Sequence, residues 1–140
     1  MAFRSEKELE LASVTFLEKE YSNYKWQVPI YNRVVDLAAI DKNGNLVGIE
    51  YKLSNWKRAL QQANAHRNTF DYMYVCVPGG NYVDDLKSSA QEMGIGVMIY
   101  DESNETIAVD LNAEKQTLHW KPNMDYVKKI LIDRGENANC

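Results

Sequence analysis

Asp36, Glu50 and Lys52 stand at one end of the stretch VVDLAAIDKNGNLVGIEYKLS, which is otherwise apolar enough to lie in the middle of a sheet. Each of these groups costs several kcal/mol if buried without a partner. Two carboxylates at cross-strand distance repel one another unless something cationic stands between them. Lys52 can neutralise one charge. A divalent cation would satisfy both carboxylates and leave Lys52 free to act on a water. Magnesium often takes one or two carboxylates and keeps several waters, and these residue types suit it.

Whether the three side chains meet depends on how the hairpin turns. If Asn43-Gly44 is a two-residue type I′ turn, Lys42 pairs with Asn45 and Asp36 faces Tyr51. The alternative is a type I turn over Asp41-Lys42-Asn43-Gly44, with Gly44 left-handed as a bulge. Asp41 then pairs with Asn45, and Asp36 lies opposite Glu50. Strand alternation keeps Lys52 on the face of Glu50. Asp at the first turn position and Gly at the fourth favour this second register.

The elements around the hairpin follow from periodicity and caps. Residues 5–21 read as one helix, opened by a Ser5/Glu8 capping box and carrying Leu9, Phe16 and Leu17 on one face. Alternation over 25–31 predicts a strand, followed by hairpin strands at about 34–41 and 45–53. A helix over 55–68 starts from Ser54 or Asn55. Continuous apolar runs at 73–77 and 95–101 suit strands covered on both faces. Between them lies a helix over 82–93, stopped by Gly94. TIAVDL, 106–111, reads as an edge strand, and a last helix spans about 123–134. This order describes an α/β fold, a mixed sheet with helices on both faces.

The 140 residues are expected to form one domain, 1–140, with its core in about 5–111. Apolar runs are too short to span a bilayer, and MAFRSEKELE lacks a signal-peptide pattern. Cys76 and Cys140 form no CxxC or Cys/His group, so zinc is not indicated and a reducing cytoplasm is the expected setting. The net charge of −4 argues mildly against a nucleic-acid partner. Its distribution matters more, because positions 51–70 hold Lys52, Lys57, Arg58 and Arg67 and no acidic residue. Lys121, Lys128, Lys129 and Arg134 read as a solvated helix face.

Arg33-Val-Val-Asp36, thirteen residues, then Glu50-Tyr-Lys52 and a helix carrying Gln61-Gln62-Ala63 resemble the PD-(D/E)XK nuclease superfamily. The resemblance covers roughly residues 5–101. Val35 stands where the motif's name has Pro, and His66 occupies the place, four after Gln62, where many members have Tyr. A Glu of the first helix completes the pattern; Glu6 and Glu10 share the right face, and Glu10 has the better spacing to Leu17.

The resemblance implies a restriction-endonuclease-like core in α-β-β-β-α-β order and metal-dependent DNA cleavage leaving a 5′-phosphate and a 3′-hydroxyl. It implies Asp36, Glu50 and the Tyr51 carbonyl as Mg²⁺ ligands, with Mn²⁺ able to substitute. Lys52 would orient water or offset charge on the phosphorane. Glu10 would hold a water or a second ion, and Gln62 would position Lys52 or the water, unless it is only an exposed helix amide. Lys57, Arg58 and Arg67 would meet phosphates of duplex or branched DNA, and Arg33 would touch a phosphate or simply pair with Asp36. Trp56 could stack on a base but reads better as core, and His66 reads better as a partner of Gln62 than as a base. A homodimer is the expected way to cut two strands.

Two rivals stand beside this reading. A catalytically inactive member of the same fold would bind nucleic acid or protein through a closed ion cluster. A glycosidase would use Asp36 and Glu50 as its acid and base pair, about 5 to 10 Å apart. A phosphate-loop nucleotide enzyme is unsupported, because no Gly-rich loop of that kind joins a strand to a helix.

Overall fold

The computed structural model describes residues 5–117, 119–134 and 136–137. Seven strands form one sheet in the order β6-β5-β4-β3-β2-β1-β7. They are β1 (Tyr21–Ile30), β2 (Arg33–Asp41), β3 (Leu46–Tyr51), β4 (Tyr72–Pro78), β5 (Gly96–Asp101), β6 (Thr106–Leu111) and β7 (Glu136–Asn137). β1, β2 and β3 run antiparallel, β3, β4 and β5 parallel, and β6 closes one edge antiparallel to β5. All six residues of β3, the central strand, are buried.

Helices cover both faces. The helices α1 (Glu6–Ala12) and α2 (Val14–Glu20) bring Leu9 and Leu17 onto Leu37, Ile49, Tyr51, Cys76 and Met98. The opposite face carries α3 (Trp56–His66), α4 (Val83–Met93) and α5 (Lys121–Arg134), whose Leu60, Leu86 and Val127 pack with Val35, Leu46 and Val75. Met124, Val127 and Leu131 of α5 are buried, so the core extends past the expected limit at residue 111. No described helix is long and apolar enough to cross a membrane.

The expected helix over 5–21 is two. The Ser13 hydroxyl bonds back to the Glu10 carbonyl at 2.7 Å and meets the buried Tyr51 hydroxyl at 2.9 Å. Such back-bonding competes with the helical ladder, and here the helix breaks at Ser13. The first strand begins at Tyr21, four residues before the expected 25. The two-residue pairing of β7 with β1 was not foreseen. Asn55, not Ser54, caps α3.

The hairpin takes the type I register. Ile40 pairs with Leu46, the Asp41 N–H donates to the Asn45 carbonyl at 2.9 Å, and Gly44 is left-handed at φ +83°. The Asp41 carboxylate accepts from the N–H groups of Asn43 and Asn45, both at 2.9 Å, which favours this turn over its Asn-Gly competitor. The paired register ends with Leu37 opposite Ile49, and just beyond it the Asp36 carboxylate accepts the Tyr51 N–H at 2.8 Å.

A kink crosses β1 and β2 at that level. Val28 and Val35 join the core under α3 and α5, whereas Trp26 and Leu37 join the core under α1 and α2. Strict alternation would hold each pair on one face. The chain turns over at Gln27, which has φ +54°, and at Asp36 across from it. Non-glycine residues rarely adopt that backbone, and such strain gathers at functional sites.

Candidate active site

Asp36 sits at the kink where β2 leaves regular alternation, half-buried, and its Oδ2 accepts the Tyr51 N–H at 2.8 Å. That bond ties the start of β2 to the end of β3 and fixes the carboxylate next to Glu50. Glu50 is itself almost wholly buried, and among the described residues its Oε1 is the one buried side-chain polar atom without a hydrogen-bond partner. A buried unmet acceptor carries a desolvation cost and calls for an explanation.

Burial pushes the Glu50 carboxyl up to about 9, and the neighbouring Asp36 adds to the shift, while Lys52 opposes it. At neutral pH Glu50 therefore holds a proton unless a further cation arrives. The Lys52 ammonium lies 3.9 Å from Glu6 Oε2, reaching across to α1. Glu10, on the next turn of α1, is raised first by burial and then by the charge of Asp36. Of the two glutamates, Glu6 meets Lys52, while Glu10 is near enough to Asp36 to feel its charge.

His66 is the residue that sequence reasoning set aside. Its Nε2 lies 3.8 Å from the unpartnered Glu50 Oε1, with both side chains almost fully buried. Burial first, and the Arg33 guanidinium second, hold its pKa below the ordinary value, so it faces Glu50 as a neutral ring near pH 7. The signal was present in its place four residues after Gln62, where the resembled family often has Tyr. Gln62 is half-buried one turn earlier on the same helix.

The basic residues do not act as one group. Lys57 and Arg58 are exposed on the first turn of α3. Arg67 caps the far end of that helix and donates to the Met93 carbonyl at 2.7 Å, a tether to the end of α4. Arg33 is exposed beside the kink. Trp56 packs against the core, with the Lys57 ammonium 5.6 Å from its ring centre, in line with the core reading. Lys121 pairs with Asp125 on the exposed face of α5.

No group of three or more His, Cys, Asp or Glu side chains among the described residues is arranged to hold a metal. Asp36 and Glu50 still suit a hydrated Mg²⁺, which needs only one or two protein carboxylates. The unmet Glu50 Oε1 is the observation that supports this fit.

No protein-family model and no curated protein matches the chain. Among solved structures it is similar to the SPO1766 protein of unknown function from Silicibacter pomeroyi, with a TM-score of 0.55 and 18% identity over 79% of this chain and 69% of that one. EndoMS in its complex with double-stranded DNA gives a TM-score of 0.53 and 18% identity, covering 71% of this chain and 46% of the EndoMS chain. This chain therefore spans less than half the length of EndoMS. At such identities the likeness shows the fold, and the fold is restriction-endonuclease-like.

Proposed function

We propose that the chain is a metal-dependent nuclease of the PD-(D/E)XK kind, hydrolysing DNA phosphodiester bonds. One observation carries the reading. A buried carboxylate with an unmet oxygen stands beside a second carboxylate, at the end of a strand whose next side chain but one is a lysine. The fold it shares with a DNA-bound endonuclease structure supports it.

Asp36 and Glu50 would hold Mg²⁺ or Mn²⁺, with the Tyr51 carbonyl as a backbone donor. A bound divalent cation supplies Lewis acidity toward the scissile phosphate and makes water a stronger nucleophile. Lys52 would orient the attacking water or offset charge building on the phosphorane. Glu10 would hold a second water and Gln62 would orient Lys52. Hydrolysis adds the water oxygen to phosphorus and breaks the bond to the 3′ oxygen. That oxygen takes up a proton, leaving a 5′-phosphate and a 3′-hydroxyl. Lys57, Arg58 and Arg33 would neutralise phosphates of duplex or branched DNA, and a homodimer would supply the second cut.

The Lys52–Glu6 contact favours a second reading, in which Glu6 retires the lysine into an ion pair and the domain binds without cutting. A glycosidase is disfavoured, because the Asp36 carboxylate is tied to the Tyr51 N–H at 2.8 Å and its charge and that of Lys52 both act directly on Glu50.

Cleavage of supercoiled plasmid and labelled single-stranded DNA in Mg²⁺, Mn²⁺ and EDTA tests the choice. The expected outcome is metal-dependent cutting by the wild type that is lost, by at least about a hundredfold, in Lys52→Ala and Asp36→Asn. No cutting, together with no heat of metal binding by calorimetry, would leave the binding module.

A further inference from the structure

Beside the candidate active site, on the side of α3 and α5, lies a cleft of about 270 Å³ of which the proposed mechanism uses only Arg33. This is smaller than the roughly 300–1,000 Å³ of pockets for drug-sized ligands, and suits something the size of a nucleobase. Tyr31, Asn32, Arg33, His66, Asn68 and Trp120 line it. His66 is the wall shared with the active site, since its ring also faces Glu50.

Two aromatic rings are left in the open there. Tyr31 is 78% exposed and Trp120 is 55% exposed. Tyr31 occupies the tight turn between β1 and β2 at φ +59°, a conformation that Gly or Asn would adopt at far less cost. Most of the Tyr31 ring is therefore open to a ligand, on backbone of the strained kind that gathers at functional sites. Trp120 is held in place by the backbone: its N–H donates to the Asn68 carbonyl at 2.7 Å, and its own carbonyl accepts from Asn123 at 3.0 Å. Both rings are thus presented on backbone whose position is set before any ligand arrives. Asn32 and Asn68 add amides that can meet the polar edge of a base, and Arg33 adds a cation.

We infer that this cleft takes an unpaired nucleobase of the DNA strand next to the cut, stacked on Tyr31 or Trp120, with the flanking phosphate on Arg33. Bases inside a duplex are stacked on their neighbours and cannot enter such a cleft, whereas splayed bases stack readily on aromatic side chains. The preferred substrate is then DNA with single-stranded character at the site, such as a splayed arm or a flap. The inference rests on the reading of the chain as acting on DNA.

Binding of the full chain, in EDTA so that no cutting intervenes, tests it with a splayed-arm DNA and a fully paired duplex of equal length. Each probe carries 2-aminopurine, in the arm or at the matching paired position. The wild type is expected to quench the arm label and to prefer the splayed probe about fivefold or more, the low end of what one stacked base supplies. Tyr31→Ala and Trp120→Ala should each abolish most of that preference, and Trp120→Phe should restore it. Tyr31 is exposed, so Tyr31→Ala keeps the test valid should Trp120→Ala fail to fold.

Equal affinity of the wild type for both probes overturns the inference, as does an unchanged preference in folded alanine variants. Mg²⁺-dependent cutting with no such preference rejects the cleft and keeps the nuclease. Quenching that is lost in the alanine variants, without any cutting, keeps the cleft and rejects the nuclease.

Discussion

Glu50 is a carboxyl group placed beside another carboxylate in a buried setting, and that placement has a consequence for stability. Its ordinary pKa of 4.5 is pushed to about 9 in the folded chain. Between those values the native state holds a proton that the unfolded state has released, so stability falls as pH rises through this window. His66 works the other way on the acid side of its ordinary 6.5, because its folded pKa is lowered and the unfolded chain takes up the proton first. Above pH 7 the Glu50 effect remains. Urea unfolding in EDTA from pH 7 to 8.5 should show wild-type stability falling. Glu50→Gln should flatten that slope and raise stability by up to about 3 kcal/mol, while removing metal-induced stabilisation. A destabilised Glu50→Gln with an unchanged slope would mean that Glu50 is charged and paired. The types of Asp36, Glu50 and Lys52 announced this site in the sequence. The place of His66 four residues after Gln62 was legible, but its approach to Glu50 was not, because that depends on how α3 crosses the sheet.

The hairpin and the broken N-terminal helix are the elements that hold the site in shape. The turn chemistry of Asp41 and Gly44 correctly indicated the register, since a carboxylate accepting two local N–H groups is a property of four adjacent residues. The break at Ser13 escaped the sequence because its cause lies on β3, in the Tyr51 hydroxyl. Ser13→Ala leaves that buried hydroxyl without its partner and should cost about 1–3 kcal/mol by urea unfolding. Adding Tyr51→Phe should cost less than the two single changes summed, because the unmet group is then gone. Strict additivity would mean that the pair does not couple. The kink at Gln27 and Asp36 was equally hidden: two strands must both turn over, and neither contains a glycine or proline at that position.

Across the whole molecule a net charge of −4 coexists with local basic surface, and the fold decides which cations face outward. Lys57 and Arg58 are exposed, while Arg67 is tethered to the Met93 carbonyl. If the first two neutralise phosphates, the paired change Lys57→Ala with Arg58→Ala should reduce the slope of log affinity against log salt by about 1.8. Arg67→Ala should leave that slope alone and lower the unfolding midpoint instead. A fall in slope with Arg67→Ala would place it at the DNA surface after all.

The sequence by itself determined the α/β class, the order of helices and strands from β1 to α5, the hairpin register and the chemical types gathered at its end. All of these rest on periodicity, caps and turns, which act over a few neighbouring residues. Tertiary structure alone decided that Glu50 Oε1 would be buried without a partner, that Glu6 rather than Glu10 would meet Lys52, and that His66 would approach Glu50 from α3. It also decided that α5 would complete the core and that Tyr31 and Trp120 would share one cleft. Those outcomes depend on distances between residues far apart in the chain, and only the packing of helices on both faces of the sheet sets them.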